Sequence, residues 1–350
     1  MTYRVVQWST GHVGIHSLHG IITHPDLELV GLWVHSDAKV GRDAGELCGL
    51  PATGVTATND VDAILALGAD CVCYTATADL RPDDAVADIA RILASGANVV
   101  SSSLVQLLHP KTADARLVAL LEAACKEGGT SCWFNGVDPG FANDILPIVL
   151  SGASESIDEI RIQEILNYDT YDQREVLEDT MGFGHPLDHV PMILLPGILG
   201  YAWGGVLNQI AEALDVTLEG VEETYEKAAF DRDVTIPTGV IRAGTQAGLR
   251  FEVKGIVNGR AAIVVEHVTR VADDVAPDWP QGSGYRITVT GNPRLTLDFE
   301  MTGADGDHNT GGLVVTAMRI LNAIPAVCAA APGVLSVNDL PLTPGRHLLR

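Results

Sequence analysis

Residues 9 to 14 read Ser9-Thr10-Gly11-His12-Val13-Gly14, with two glycines where a backbone can pass close to a bound group. A turn of this kind that opens a helix leaves its first N–H groups without intrahelical partners, at the positive end of the dipole. The chemistry it offers is the cradling of a diphosphate. A second set follows near residue 100, where Ser101-Ser102-Ser103 leads to Gln106 and His109. Gln106 could polarise an oxygen or nitrogen that gains negative charge, and His109 could donate a proton near neutral pH. Because His109 precedes Pro110, it could equally terminate a turn. Asn135 and Asp138 flank a third turn, where Asp138 could act as a general acid or cap the helix expected after Pro139.

The elements that must position these groups can be read from the apolar periodicity. An apolar run from Val5 breaks at Ser9-Thr10-Gly11, and Ile15, Leu18, Ile21 and Ile22 follow at helical spacing. That is the opening of a βαβ unit, with Ser9 in place of the first glycine of GxGxxG. Further apolar strands are expected at 27–34, 70–76, 98–102 and 131–134. Between them lie a short helix capped by Asn59 or Asp60, a helix opened by Pro82 and ended by Gly96, and a Leu- and Ala-rich helix over 113–127. Strands this continuously apolar belong to a parallel sheet covered on both faces. The expectation is a dinucleotide site in which Ser9, Thr10, Gly11, His12, Val13 and Gly14 hold the diphosphate. Thr75, Ala76, Ser101 and Ser102 then meet the nicotinamide-ribose half. The second strand ends Val34-His35-Ser36-Asp37-Ala38-Lys39, without the acidic residue directly at its end that favours NAD. His35, Ser36 and Lys39 would hold a 2′-phosphate, so NADP is the expected cofactor, with NAD possible.

Past residue 137 the pattern changes. A helix near 145–149 precedes a half-exposed strand over 157–166, and Asn258-Gly259 joins strands at 249–254 and 261–271 as a hairpin. Two more strands, 285–290 and 295–301, flank Gly291-Asn292-Pro293, and a helix covers 311–331. The fold class expected is α/β: a Rossmann-like parallel sheet first, then an α+β domain on an antiparallel-rich sheet. The boundaries expected are 1–140 for dinucleotide binding, 141–310 for substrate binding and dimerisation, and 311–350 for a helix and tail packing back on the first domain. Tyr168, Tyr171, His185, Trp203 and His308, with Asn135, are the expected pocket residues. His185 and His189 stand four apart, but Pro186 intervenes and no third ligand is evident, so no metal is expected.

The uncharged stretch from Val190 to Leu207 is interrupted by Pro191, Pro196, Gly197, Gly200, Gly204 and Gly205. It reads as a broken, fully buried helical segment at a pocket or subunit interface, and not as a membrane span. Lys and Arg number 22 against 45 Asp and Glu, a formal charge of −23. A field of that sign repels phosphate backbones and anionic lipid, which argues against nucleic-acid and membrane partners. The six cysteines show no metal spacing, and no basic, cleavable leader precedes Val5, which fits reduced thiols in the cytoplasm.

Four segments, 5–14 (Val-Val-Gln-Trp-Ser-Thr-Gly-His-Val-Gly), 98–102, 138–141 (Asp-Pro-Gly-Phe) and 322–327, resemble the 2,4-diaminopentanoate dehydrogenase family. That family includes native amine dehydrogenases and dihydrodipicolinate reductase-like proteins, and the resemblance covers nearly the whole chain. It implies a homodimer using NADP or NAD, with a small-molecule pocket between the domains. The chain departs from the pattern in two places. It lacks the His-His pair and Lys of true dihydrodipicolinate reductases. It also has no carboxylate between Ser101 and Pro110, where the amine dehydrogenases carry a glutamate after the fourth strand. The expected activity is hydride transfer between NADP(H) and a small, mainly apolar C=O or C=N substrate. The alternatives are an amine dehydrogenase with its carboxylate elsewhere and a non-catalytic NADP(H)-binding sensor.

Overall fold

The computed structural model describes residues 2–78 and 81–349. In chain order the first elements are β1 (Tyr3–Trp8), α1 (His12–Thr23), β2 (Leu27–Trp33), α2 (Ala44–Leu47), β3 (Ala57–Thr58), α3 (Val61–Leu65) and β4 (Cys71–Tyr74). Next come α4 (Pro82–Ala94), β5 (Asn98–Ser101), α5 (Ala115–Gly128), β6 (Ser131–Phe134), α6 (Ile145–Ser151), β7 (Ser156–Asn167) and α7 (Ile198–Ala213). The rest are β8 (Gly220–Ala229), β9 (Val234–Ile236), β10 (Gly239–Ile241), β11 (Gln246–Val257), β12 (Arg260–Arg270), β13 (Gly284–Asn292), β14 (Leu295–Phe299), α8 (His308–Ala329) and β15 (Gly333–Leu335). They form two units, Met1–Phe141 with Leu313–Arg350, and Ala142–Gly312.

The first unit is a seven-stranded sheet in the order β3-β2-β1-β4-β5-β6-β15, and every pair is parallel. Strand order reverses between β1 and β4, the switch point at which doubly wound sheets open a crevice at their carboxyl ends. The sheet is covered on both faces, so β4 and β6 are buried along their whole length. One face packs Val6, Val72 and Val99 against Val86, Ile89 and Leu93 of α4. On the other, Val5, Cys73 and Trp133 meet Ile320, Leu321, Ile324 and Val327 of α8. By length and composition α8 is apolar enough to cross a membrane. These four residues instead lie in the core. Asp60 caps α3 by accepting from the Ala63 amide, and Asp114 caps α5 by accepting from Arg116. All six cysteines are free thiols, and burial pushes the Cys73 thiol up to about 12.

The second unit holds a six-stranded sheet in the order β14-β13-β7-β12-β11-β8, antiparallel except for the parallel pair β7–β12. Asn258 and Gly259, both at positive φ (52° and 71°), close the β11–β12 hairpin, as a two-residue turn requires. The stretch 190–207 differs from its expectation of full burial. It makes a 3₁₀ turn at Met192–Leu194 and then enters α7. Ile193, Leu194, Leu199, Trp203 and Leu207 are buried, while Val190, Met192, Leu195 and Tyr201 are exposed. A helix buries only the face turned to its sheet, so an uncharged sequence need not be buried all round.

Candidate active site

The phosphate loop follows β1. Ser9, a non-glycine, holds φ +81°, and the fully buried Gln7 secures it by donating from Nε2 to the Ser9 carbonyl (2.8 Å) and to Thr75 Oγ1 (2.8 Å). Gln7 thus ties the end of β1 to the end of β4 across the switch point. A Cβ on Gly14 would stand 2.6 Å from the Ser9 carbonyl oxygen and 2.8 Å from Thr75 Oγ1, so only glycine fits. A Cβ on Gly11 would meet nothing nearer than Ser9 Oγ at 4.0 Å. Gly14 is therefore demanded by the protein's own packing, whereas Gly11 leaves a cradle open. No side chain caps α1, and its first turn carries no acidic residue. A diphosphate fits that arrangement.

The remaining expected cofactor residues gather at the carboxyl ends of the same sheet. Past β2, His35 and Ser36 are exposed, and Lys39 donates to Thr10 Oγ1 (2.8 Å) and to the Thr10 carbonyl (3.1 Å). Asp37 accepts from Asn59 Nδ2 at 3.0 Å. Ala76 follows β4 and is buried; Ser101 is fully buried with its Oγ accepting from the Ser103 amide, and Ser102 is half-buried.

After β5 the chain bends through Leu104 at φ +58° into a 3₁₀ turn, Val105–Leu107, which leaves Gln106 half-buried. His109 is buried, with Nδ1 2.8 Å from Thr112 Oγ1 in the turn that Pro110 opens. A small cavity of about 50 Å³ lies at this end of the sheet, lined by Ser102, Ser103, Val105, Asn135, Asp138 and Thr316. Asn135 and Asp138 face it; Gln106 and His109 are not among its walls. The cap of α6 is Asp144, whose carboxylate accepts from the Ile145 amide, so Asp138 is not the cap. Asn135 Oδ1 accepts from Arg319 Nε (3.1 Å), and the guanidinium lies 4.8 Å over the Trp133 ring. Sequence reasoning did not find Arg319. It is the single Asp, Glu, Lys or Arg in the apolar stretch 311–331, and that was the signal to notice.

The second unit holds a different constellation. In register, Tyr225, Phe251, His267, Glu164, Tyr285 and Phe299 form one row across all six strands, and residues so paired share a sheet face. Glu164 and His267 are only 6% and 3% exposed. Glu164 Oε2 is 2.7 Å from His267 Nδ1, and Oε1 accepts from the Tyr285 hydroxyl at 2.8 Å. Phe251 stacks on the imidazole at 4.7 Å, and Trp203 of α7 meets it edge-on at 4.6 Å. Burial and, secondarily, the charge of Glu164 push the Tyr171 phenol up to about 12. Tyr168 stacks on Tyr171 at 4.7 Å.

Of the expected pocket residues in this unit, Trp203 joins this group by contact, while Tyr171 feels the charge of Glu164 and stacks on Tyr168. His185 instead stacks on His189 at 4.3 Å, and His308 Nε2 lies against the Asn167 carbonyl at the end of β7. Glu164, His267 and Tyr285 were missed. A signal existed: Ile160, Ile162 and Leu166 alternate on the buried face of β7, and Glu164 occupies the same register.

An all-parallel sheet with a glycine cradle at its switch point, joined in one chain to a mostly antiparallel sheet, is the architecture of a dinucleotide-dependent oxidoreductase. The 2,4-diaminopentanoate dehydrogenase C-terminal domain matches residues 141–346. A Streptomyces virginiae amine dehydrogenase is 44% identical over 97% of this chain and 96% of its own. The 2,4-diaminopentanoate dehydrogenase of Acetoanaerobium sticklandii is 24% identical over 69% of this chain and 66% of its own. The structure of an amine dehydrogenase from Mycobacterium smegmatis superposes with a TM-score of 0.77 at 22% identity, covering 98% of this chain and 97% of that one. The chain belongs to the 2,4-diaminopentanoate dehydrogenase family and is a dehydrogenase.

Proposed function

We propose that this chain is an NADP-preferring amine dehydrogenase that interconverts a small, mainly apolar primary amine with the corresponding ketone and ammonia. The observation that carries the reading is the 44% identity to the Streptomyces virginiae amine dehydrogenase along essentially both whole chains. A bound nicotinamide supplies the site for hydride loss or gain. The chain's own residues do the rest. The amides that open α1 face the diphosphate, and Gly11 keeps the approach free of side chain. Thr75, Ala76, Ser101 and Ser102 border the far half of the cofactor.

Lys39, Ser36 and His35 supply donors for a 2′-phosphate. Asp37, whose charge would oppose it, accepts from Asn59 Nδ2 through Oδ1. The substrate domain is assigned to the second unit, and the chain is expected to act as a cytoplasmic homodimer.

The test is NADPH oxidation across a panel of ketones with and without ammonium chloride. Rates that require ammonia support the reading. Equal rates without ammonia establish carbonyl reduction instead, the reading favoured by the absence of a carboxylate between Ser101 and Pro110. Turnover with NADH equal to or above that with NADPH refutes the cofactor preference. Gly14→Val is expected to abolish NADPH fluorescence enhancement, because its Cβ alone would clash with the Ser9 carbonyl. Unchanged NADPH uptake by that variant would overturn the assignment of the loop.

A further inference from the structure

Glu164 is a carboxylate that the fold has buried without a fixed counter-charge. An ionised carboxylate taken out of water loses several kcal/mol of solvation unless a cation and hydrogen bonds replace it. Among the described residues, no arginine or lysine forms an ion pair with Glu164; its charged contact is His267, and Tyr285 gives a neutral hydroxyl. With a neutral imidazole the pair carries one negative charge. Around it stand the rings of Phe251, Trp203, Tyr285 and, close enough to feel that charge, Tyr171. Aromatic faces attract cations and repel nothing aliphatic. A carboxylate keeps about four acceptor positions, so two contacts leave it room for a third partner. An alkylammonium ion brings the two things this place lacks, a positive charge for the carboxylate and a hydrocarbon body for the rings.

We propose that Glu164 is the seat of the substrate nitrogen and its proton acceptor, with His267 as the residue that positions the carboxylate. The assignment rests on the amine dehydrogenase reading above and supplies the carboxylate missing between Ser101 and Pro110. In the oxidative direction Glu164 accepts one proton from R₂CH–NH₃⁺. A bound oxidised nicotinamide would supply the hydride acceptor, and the nitrogen lone pair freed by Glu164 would then form the second bond of C=N. Water then adds to R₂C=NH₂⁺, and ketone and NH₄⁺ depart. Reductive amination runs these steps in reverse.

The test compares wild type, Glu164→Gln and Glu164→Asp for unfolding temperature, NADPH affinity and KM for ammonium chloride and for cyclohexanone. Wild type and Glu164→Gln are also titrated with cyclohexylamine and with its uncharged isostere cyclohexanol by calorimetry. Glu164→Gln is expected to lose about 100-fold or more in kcat/KM for ammonia, the scale of a lost acid–base group. Its NADPH affinity should stay within twofold, and Glu164→Asp should recover part of the rate. Wild type should bind cyclohexylamine at least tenfold more tightly than cyclohexanol, and Glu164→Gln should abolish that difference. An ammonia kcat/KM within threefold of wild type in Glu164→Gln overturns the proposal. So does equal affinity of wild type for amine and alcohol, a measurement that stands even where the variants fail to fold. Cyclohexylamine binding that depends on Glu164 without ammonia-dependent turnover would sink the amine dehydrogenase reading and leave the nitrogen seat in place.

Discussion

Glu164 and Glu266 are both almost wholly buried carboxylates on paired strands of one sheet, and they lie on opposite faces of it. Glu266, next to His267 in β12, is 1% exposed and accepts from Arg161 Nη1 (2.7 Å), Arg250 Nε (2.8 Å) and Gln163 Nε2 (3.0 Å). Arg161 also reaches Glu252 (2.6 Å) and Glu159 (3.1 Å), and Lys254 reaches Glu252 (2.7 Å). The positive charges that Arg161 and Arg250 bring to Glu266 are permanent, because guanidinium does not titrate in the working range of a protein. Glu164 has a phenol and an imidazole instead, and imidazole is the side chain whose charge changes near neutral pH. Equal burial therefore serves opposite ends. One carboxylate rivets three strands together, and the other keeps a proton within reach of being moved.

Substitution separates the two. The largest effect belongs to Glu164→Gln, with the loss of about 100-fold or more in ammonia-dependent turnover and little change in unfolding temperature. Glu266→Gln should do the reverse. Hydrogen bonds to charged groups contribute about 2 kcal/mol each, so this variant should lose stability on that scale in urea titration and keep its activity per folded molecule. A Glu266→Gln protein that is equally stable, or a Glu164→Gln protein that is as active as wild type, would erase the contrast.

A smaller effect should appear in acid. Burial raises the Glu252 carboxyl, but Lys254 and Arg161 outweigh it and hold the group at about 2, below the unfolded value of about 4.3. A folded pKa depressed in this way lends stability above about pH 4.3 and loses it as pH falls towards 2. The urea midpoint should decline across that window, and less so in Glu252→Gln. An identical decline in both proteins would place the acid sensitivity elsewhere.

What the sequence disclosed follows from the range of the interactions involved. The loop after β1, the helix opened by Pro82 and the Asn258-Gly259 turn are decided by neighbours a few residues apart, so their residue types announce them. The Asp60 cap is equally local. Glu164, His267 and Tyr285 come from three strands, and only the pairing of those strands sets them side by side. No spacing along the chain encodes that. The break in the alternation of β7 marked Glu164 as unusual without revealing its partners. Asp138 shows the converse error: an acidic residue beside a proline resembles a cap, yet Asp144, further along the chain, holds that position.

The second unit is inserted into the first, whose remaining pieces are α8 from Leu313 onward and β15 beside β6. On the ribosome, the first six strands emerge early, yet the face that Ile21 of α1 shares with α8 stays only partly covered. Ile320, Ile324 and Val327 cover that face only after more than three hundred residues have been translated. Until then the nascent half-protein leaves the partners of α8 on that face open to water, and a truncation before α8 would leave them so permanently.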